Sequence, residues 1–434
     1  MTWCDPPGES RQVRLWRADE HHGCGYGKSA VRGAEIKALT GLRIVAAVWV
    51  VLFHFRPILY EAAPDFTETF APVLDCGAQG VDLFFILSGF VLTWNYLDRM
   101  GPGWSTRATL HFLWLRLSRV WPVYLVTLHL AALWVIFTLN VGHVPVEDTS
   151  GYNAVSYLRQ LFLVQLWFEP YFDGTSWDGP AWSISAEWLA YLLFGALILV
   201  VFRIARATRA RSLVVLAVAA SLPPVVLLMM TGHFYTPWSW LPRIVMQFTA
   251  GALACAAVRK LEPGDTARRT AGYLSVVLSI AIIVGLFFFD AHPLNTVGDA
   301  GGLVDILFVP LVVALAIGTG SLPALLSTRV LVYGGQISFG LYMVHELVHT
   351  AWIWTVKQFE LTMSPDLSGK ATLLGLLAIS VVAAMVLYHV VEEPARRWMR
   401  RMVDIRPVDP KNSHLHRVDA EHQGHSAAVP ARAG

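Results

Sequence analysis

Residues 42–55 read Leu-Arg-Ile-Val-Ala-Ala-Val-Trp-Val-Val-Leu-Phe-His-Phe. The run is apolar enough to be a membrane helix, yet it carries Arg43 and His54. At ~100° per residue the two side chains fall within ~20° of each other on a helix, ~16 Å apart along its axis. Ionisable side chains inside a span are costly and generally face a bundle interior or a wet cavity. Two readings are open. One is a polar path that starts near one membrane surface and ends well inside. The other is a snorkelling arginine beside a hydrogen-bonded core histidine.

The rest of the chain supports hydrocarbon as its main solvent. It has 434 residues, of which 55% are hydrophobic and only 15% charged, where a soluble domain averages ~25% charged. Apolar runs of membrane-spanning length occur near 39–60, 80–97, 117–139, 182–202, 212–230, 239–258, 271–289, 303–320, 337–356 and 371–391. The expected fold is therefore an all-α polytopic membrane protein of about ten transmembrane helices. With the amino terminus inside, 27 of the 33 Lys and Arg fall in inner segments, as the positive-inside rule requires. Glu61, Asp65, Glu68, Asp75, Glu147, Asp148, Asp290 and Asp299 fall in outer ones. Both termini are thus expected in the cytoplasm.

Residues 1–35 read as a polar tail with no removable signal peptide, residues 36–397 as the membrane domain, and residues 398–434 as a cytoplasmic tail without fixed structure. Residues 154–168 are apolar but short, with Arg159 in the middle, and suit an interfacial or re-entrant helix better than a span. The aromatic stretch 167–182 is read first as an interface belt, with a sugar-stacking vestibule as the alternative. The basic segments 203–211 and 396–401 set topology and meet anionic lipid; nothing points to nucleic acid. Cys4, Cys24, Cys76 and Cys255 are scattered, so neither a disulfide framework nor a metal site is indicated.

Five stretches could carry chemistry. His54 could serve as general base toward a hydroxyl, and Arg43 could hold a phosphate or a carbonyl. Arg116 and Arg119, three apart on a helix, form either a phosphate clamp or ordinary positive-inside anchors. In Gly80–Phe90, Asp82 lies near the outer end, while Ser88 and Gly89 suit close helix approach. In Trp182–Trp188, Ser183 precedes Glu187, which could orient a histidine or pair with Arg243. In Ile337–Glu346, Tyr342 and His345 are polar lining or core hydrogen-bonding groups.

Taken in order, these stretches resemble the acyltransferase-3 family of integral-membrane O-acyltransferases. Arg43 and His54 match its arginine and histidine separated by ten residues in the first span. Arg116 and Arg119 match an Arg-x-x-Arg pair. Residues 80–90 match Gly-Val-Asp-Leu-Phe-Phe-x-Leu-Ser-Gly-Phe, and Trp182, Ser183 and Glu187 match Trp-Ser-x-x-x-Glu. Ser338, Tyr342 and His345 match Ser-x-x-x-Tyr-x-x-His, and Glu392 with Pro394 matches a terminal Glu-x-Pro. Position 393 is Glu where the family often has a basic residue. The resemblance covers about Ile36 to Arg397 and is closest to stand-alone members without an SGNH domain. It implies an acyl-CoA donor, first of all acetyl-CoA, held by Arg43, Arg116 and Arg119. It implies an enzyme of the inner (cytoplasmic) membrane with His54 as base or, second, as a transient acyl carrier, oriented by Glu187 or Asp82, with Ser183, Tyr342 and His345 lining the site. The acceptor it implies is a glycan or lipid-linked hydroxyl, or a macrolide-type antibiotic. Membrane lipids, and a second copy of the chain as an option, complete the expected partners. A transporter is the rival class, but no repeated half or matched pair of broken helices is present.

Overall fold

In the computed structural model, residues 35–141, 149–171, 177–292 and 299–404 are described. The tails 1–34 and 405–434, the acidic pair Glu147 and Asp148, and positions 172–176 of the aromatic stretch lie outside the described residues. The chain runs through α1 (Lys37–His54), α2 (Arg56–Ala62), α3 (Pro64–Leu74), α4 (Gln79–Met100) and α5 (Thr106–Asn140). It continues with α6 (Ala154–Leu161), α7 (Trp182–Ala207), α8 (Ala210–Ala220), α9 (Leu222–Thr231), α10 (Trp240–Val258) and α11 (Asp265–Ala291). It closes with α12 (Phe308–Ile317), α13 (Ser321–Leu326), α14 (Arg329–Phe359), α15 (Leu367–Val386) and α16 (Glu393–Asp404). No strand occurs among the described residues.

All ten apolar runs are helical, and among the described residues eight helices are long and apolar enough to cross a membrane, α8 and α9 counting as one. The other two runs depart for identifiable reasons. α12 spans only 10 residues after a 3₁₀ segment, Asp299–Leu307. α14 has 31 residues, but His345, Glu346, His349 and Lys357 lower its apolarity. The 154–168 stretch forms only α6, 8 residues long, or about 12 Å of rise. That is far short of a ~30 Å hydrocarbon core.

The first helix ends earlier than the sequence suggests. α1 stops at His54, and Phe55 leaves helical geometry at φ −83°, ψ 4°. Pro57, at the start of α2, has no N–H to give the Phe53 carbonyl four residues back, and its ring crowds that carbonyl. Arg56 fastens the break, donating to the Phe53 carbonyl at 2.8 Å and to Asp75 at 2.6 Å. His54 therefore sits at a helix end rather than in mid-span. At the other end of the chain, α16 carries helix through Asp404, into the tail that begins at 398.

The centre of the bundle is α4. Its apolar window is 78% buried, and that of α10 is 72%, against 22% for α11. α4 packs on α10, α1 and α7; α14 packs on α1 and α15. The α4–α10 crossing is close because both helices present glycine. A Cβ on Gly89 would lie 1.9 Å from the Phe248 carbonyl oxygen, and one on Gly251 would lie 1.9 Å from that of Ile86. Small residues let helix backbones approach where lipid supplies no hydrophobic drive. Gly251→Val is expected to cost at least about 1–3 kcal/mol, seen as a lower thermal midpoint in detergent. Gly103→Ala, where nothing lies within 4 Å, is the matched control and should leave the midpoint unchanged.

Candidate active site

Two cavities open between α1, α4, α7 and α14. The smaller, about 70 Å³, is lined by Arg43, Arg119, Glu187, Ser88, Ser183 and Tyr342, among others. The larger, about 850 Å³, is lined by His54, Glu346, His349 and Asp178 within walls that include Trp134, Trp177, Trp182 and Trp354. Arg43 and His54 thus share one helix but open into different cavities.

His54 is held by a second histidine. Its Nδ1 lies 3.0 Å from the Val50 carbonyl and 3.3 Å from Nε2 of His345. His345 Nδ1 lies 2.7 Å from the Tyr342 carbonyl. A carbonyl oxygen only accepts, so both Nδ1 atoms carry hydrogen. His345 Nε2 then accepts from His54 Nδ1–H, and the lone pair of a neutral His54 is on Nε2. That is the state a general base needs. His54, His345 and Glu346 also bring one metal-ligand atom each within 4.8 Å of one another. A metal on the His54 Nδ1 would have to displace the proton that Val50 holds, so a proton is the better fit to this donor set.

Neither carboxylate expected to orient His54 does so. Asp82 is fully buried and paired with Arg243, which donates from Nε at 3.1 Å and from Nη2 at 2.6 Å. The guanidinium also lies 4.3 Å from the Phe234 ring centroid. This corrects both the role given to Asp82 and the pairing of Arg243 with Glu187. Glu187 instead accepts from Ser88 at 2.5 Å, inside the small chamber with Arg43 and Arg119. Ser88 therefore has a partner beyond helix packing.

The arginine pair of α5 is divided. Arg119 lines the small chamber, and its Nη1 lies 3.9 Å from the buried Glu392. Arg116 sits over the Tyr96 and Phe112 rings at 5.8 and 5.9 Å. Ser183 and Tyr342 meet through their hydroxyls at 2.8 Å, and Tyr342 also donates to the Pro180 carbonyl at 3.0 Å. Part of the aromatic stretch faces inward rather than forming a belt. The Trp177 indole donates to Ser156 at 3.0 Å and to the Asn153 carbonyl at 3.2 Å, which turns its ring into the large cavity.

Sequence reading gave no role to Glu346, His349 or Asp178. Glu346 and His349 lie 3.2 Å apart, and 342, 345, 346 and 349 follow the one-face helical spacing, a signal that was available. Asp178 was not foreseeable, because its partners come from distant helices. It accepts from Thr127 at 3.1 Å, while Gln160 accepts from its backbone N–H at 3.1 Å. Burial pushes the Asp178 carboxyl up to about 7, against the lowering effect of the Thr127 hydroxyl.

The buried Asp82–Arg243 pair gives a stability test. Arg243→Ala strands a buried carboxylate and is expected to cost about 3–5 kcal/mol. Asp82→Asn combined with Arg243→Met should be more stable than either single variant. Thermal unfolding in detergent reads the difference, and a double variant no better than the singles would refute the pairing.

Residues 36–389 match the acyltransferase-3 family, described as an acyltransferase domain. The chain is 26% identical over 395 residues to the acyltransferase MdmB of Streptomyces mycarofaciens, covering 85% of this chain and 94% of that one. It is 30% identical over 206 residues to protein 2 in the picA locus of Rhizobium radiobacter, covering 45% of this chain and 94% of that protein. No solved structure matches the chain. The matched region holds both cavities' main polar side chains, from Arg43 and His54 on α1 to Tyr342 and Glu346 on α14. The protein is a multi-pass membrane acyltransferase, and the chain belongs to the acyltransferase-3 family.

Proposed function

We propose that the protein moves an acyl group, first of all acetyl, from cytoplasmic acyl-CoA to a hydroxyl of a glycan or lipid-linked acceptor. The observation that carries this is the division of α1, with Arg43 in the small chamber and His54 in the large cavity. Membership of an acyltransferase family turns the choice between enzyme and transporter toward the enzyme. The scheme adopted is ten spans with both termini in the cytoplasm and the small chamber toward the cytoplasmic side. Arg99 in the last turn of α4 and Arg107 in the first turn of α5 support that orientation.

Arg43 and Arg119 are the residues best placed to hold donor phosphates, since a guanidinium fork suits phosphate oxygens. Arg116 reinforces the field from the aromatic side. The ~16 Å rise between Arg43 and His54 gives room for an extended pantetheine arm. In the reaction, His54 Nε2 takes the acceptor hydroxyl proton while the hydroxyl oxygen attacks the thioester carbonyl. The new C–O bond forms, the C–S bond breaks, and the imidazolium returns its proton to the departing thiolate. His345 holds the His54 ring through Nδ1–H, and the nearby Glu346 carboxylate favours the transient cation.

The apolar and aromatic walls of the large cavity also suit a macrolide-type antibiotic. Leu347, Ile353, Trp134 and Trp354 are among its lining residues, so the same chemistry on a bulky secondary metabolite is the second reading.

Free-thiol release from acetyl-CoA by protein in nanodiscs, with a native membrane extract as acceptor source, tests the assignment. His54→Ala is expected to lower release by roughly 10²–10⁴-fold with folding retained, and wild-type turnover should persist in EDTA. Near-normal release from folded His54→Ala would overturn the base assignment. In the same assay Arg119→Ala should raise the KM for acyl-CoA by roughly 10–100-fold, more than Arg116→Ala does. Equal effects would return the two arginines to a single clamp.

A further inference from the structure

Each helix around the site changes cavity at one level. On α1, Arg43 faces the small chamber and Val50 and His54 the large one. On α4, Ser88 faces the small chamber and Val81 borders both. At the start of α7, Pro180 and Trp182 line the large cavity, while Ser183 lines the small one. On α14, Ser338 lines the small chamber, Glu346 the large one, and Tyr342 both. Val81 and Tyr342 are the lining residues that the two cavities share.

A wall therefore crosses the bundle at this level, and Tyr342 is its polar part. The Tyr342 hydroxyl donates to the Pro180 carbonyl at 3.0 Å and meets the Ser183 hydroxyl at 2.8 Å. Its ring packs edge-on to Phe84, with centroids 6.4 Å apart, and leans on His345 at 5.8 Å. The ring is only 6% exposed. Two hydroxyl contacts, one to the turn before α7 at Pro180 and one to Ser183 of α7, latch it, while its own carbonyl accepts from His345, the histidine that holds His54.

We infer that Tyr342 is the gate between the donor chamber and the acceptor cavity, swinging aside to let a short acyl thioester reach His54. This rests on the reading that the acyl group travels from the small chamber to His54. The physical need is water exclusion. The large cavity is wide enough to hold many waters, and water there would compete with the acceptor for the thioester. In that side reaction water attacks the thioester carbonyl, a C–O bond forms, the C–S bond breaks, and CoA leaves as thiol with the proton. A latched phenol keeps the thioester dry until an acceptor is seated. The wall also selects chain length, because the chamber beneath it is about 70 Å³.

The test compares wild type, Tyr342→Phe and Tyr342→Ala in nanodiscs. It reads CoA release from acetyl-, butyryl- and hexanoyl-CoA with and without the acceptor extract. Tyr342→Ala is expected to raise the ratio of acceptor-independent hydrolysis to transfer by tenfold or more, and to admit the longer acyl groups. Tyr342→Phe keeps the ring but loses the latch, and should fall between. A ratio and chain-length profile equal to wild type in both variants overturns the gate while leaving the transferase reading intact. Absence of acceptor-dependent release in wild type overturns that reading, and the gate with it.

A second measurement does not depend on turnover. Ser338→Cys places a thiol in the small chamber, in a chain whose four native cysteines are replaced. Its labelling by an impermeant maleimide added from the large-cavity side should be slow with Tyr342 present and at least tenfold faster with Tyr342→Ala. Equal labelling rates overturn the gate.

Discussion

A polar side chain inside a helix bundle in lipid has no water to fall back on, so it must find a partner on a neighbouring helix. In this protein those partners form a connected series. Arg243 on α10 grips Asp82 on α4, and Ser88 on α4 donates to Glu187 on α7. Ser183 on α7 meets Tyr342 on α14, and His345 on α14 meets His54 on α1. Each consecutive pair of helices is pinned by one polar contact. Apolar packing against lipid does little to fix rotation or register, because a leucine facing lipid and a leucine facing a helix are nearly equivalent. The polar contacts remove that freedom. Ser88, Glu187, Ser183, Tyr342 and His54 among them also line the two cavities, so the fold and the candidate site share constraints.

The helices were legible in the sequence because length and hydropathy are local properties. All ten apolar runs became helices, and the short 154–168 run became the eight-residue α6. The candidates Arg43, His54, Glu187, Tyr342 and His345 are brought together by the fold, each lining or adjoining one of the two cavities. Partnership was not. Asp82 and Arg243 are 161 positions apart and His54 and His345 are 291 apart, and one chain carries no record of which distant groups meet. Asp82 was therefore given to a histidine when an arginine already held it.

Two other expectations are met only in part, for geometric reasons. Arg116 and Arg119 differ by ~60° around a helix, close enough to share a broad face but not a narrow chamber. One lines the chamber and the other lies over Tyr96 and Phe112. The aromatic stretch was read as a belt because tryptophan composition is the same whether an indole faces headgroups or a cavity. Direction comes from the hydrogen bonds of the indole N–H groups. Trp177 is turned inward by Asn153 and Ser156, and the Trp167 indole is held by the Ser185 carbonyl at 3.1 Å.

Three of the breaks in helix regularity lie along the same path. In lipid, non-helical backbone is tolerated only where protein or a wet cavity satisfies its freed groups, and π-turns in helices are frequent at functional sites. Here α1 ends at His54, a 3₁₀ turn at Gly179–Ala181 presents the Pro180 carbonyl to Tyr342, and a π-turn at Leu387–Glu392 carries Glu392 to within 3.9 Å of Arg119. One break lies beside the large cavity, one at the wall and one beside the small chamber. A bundle built only to fill a membrane gains nothing from three irregularities along one path. On the function proposed above, a bundle that brings a phosphate-binding arginine, a gated passage and a histidine base into line needs each of them, because an unbroken α-helix repeats every 3.6 residues and cannot aim those groups independently.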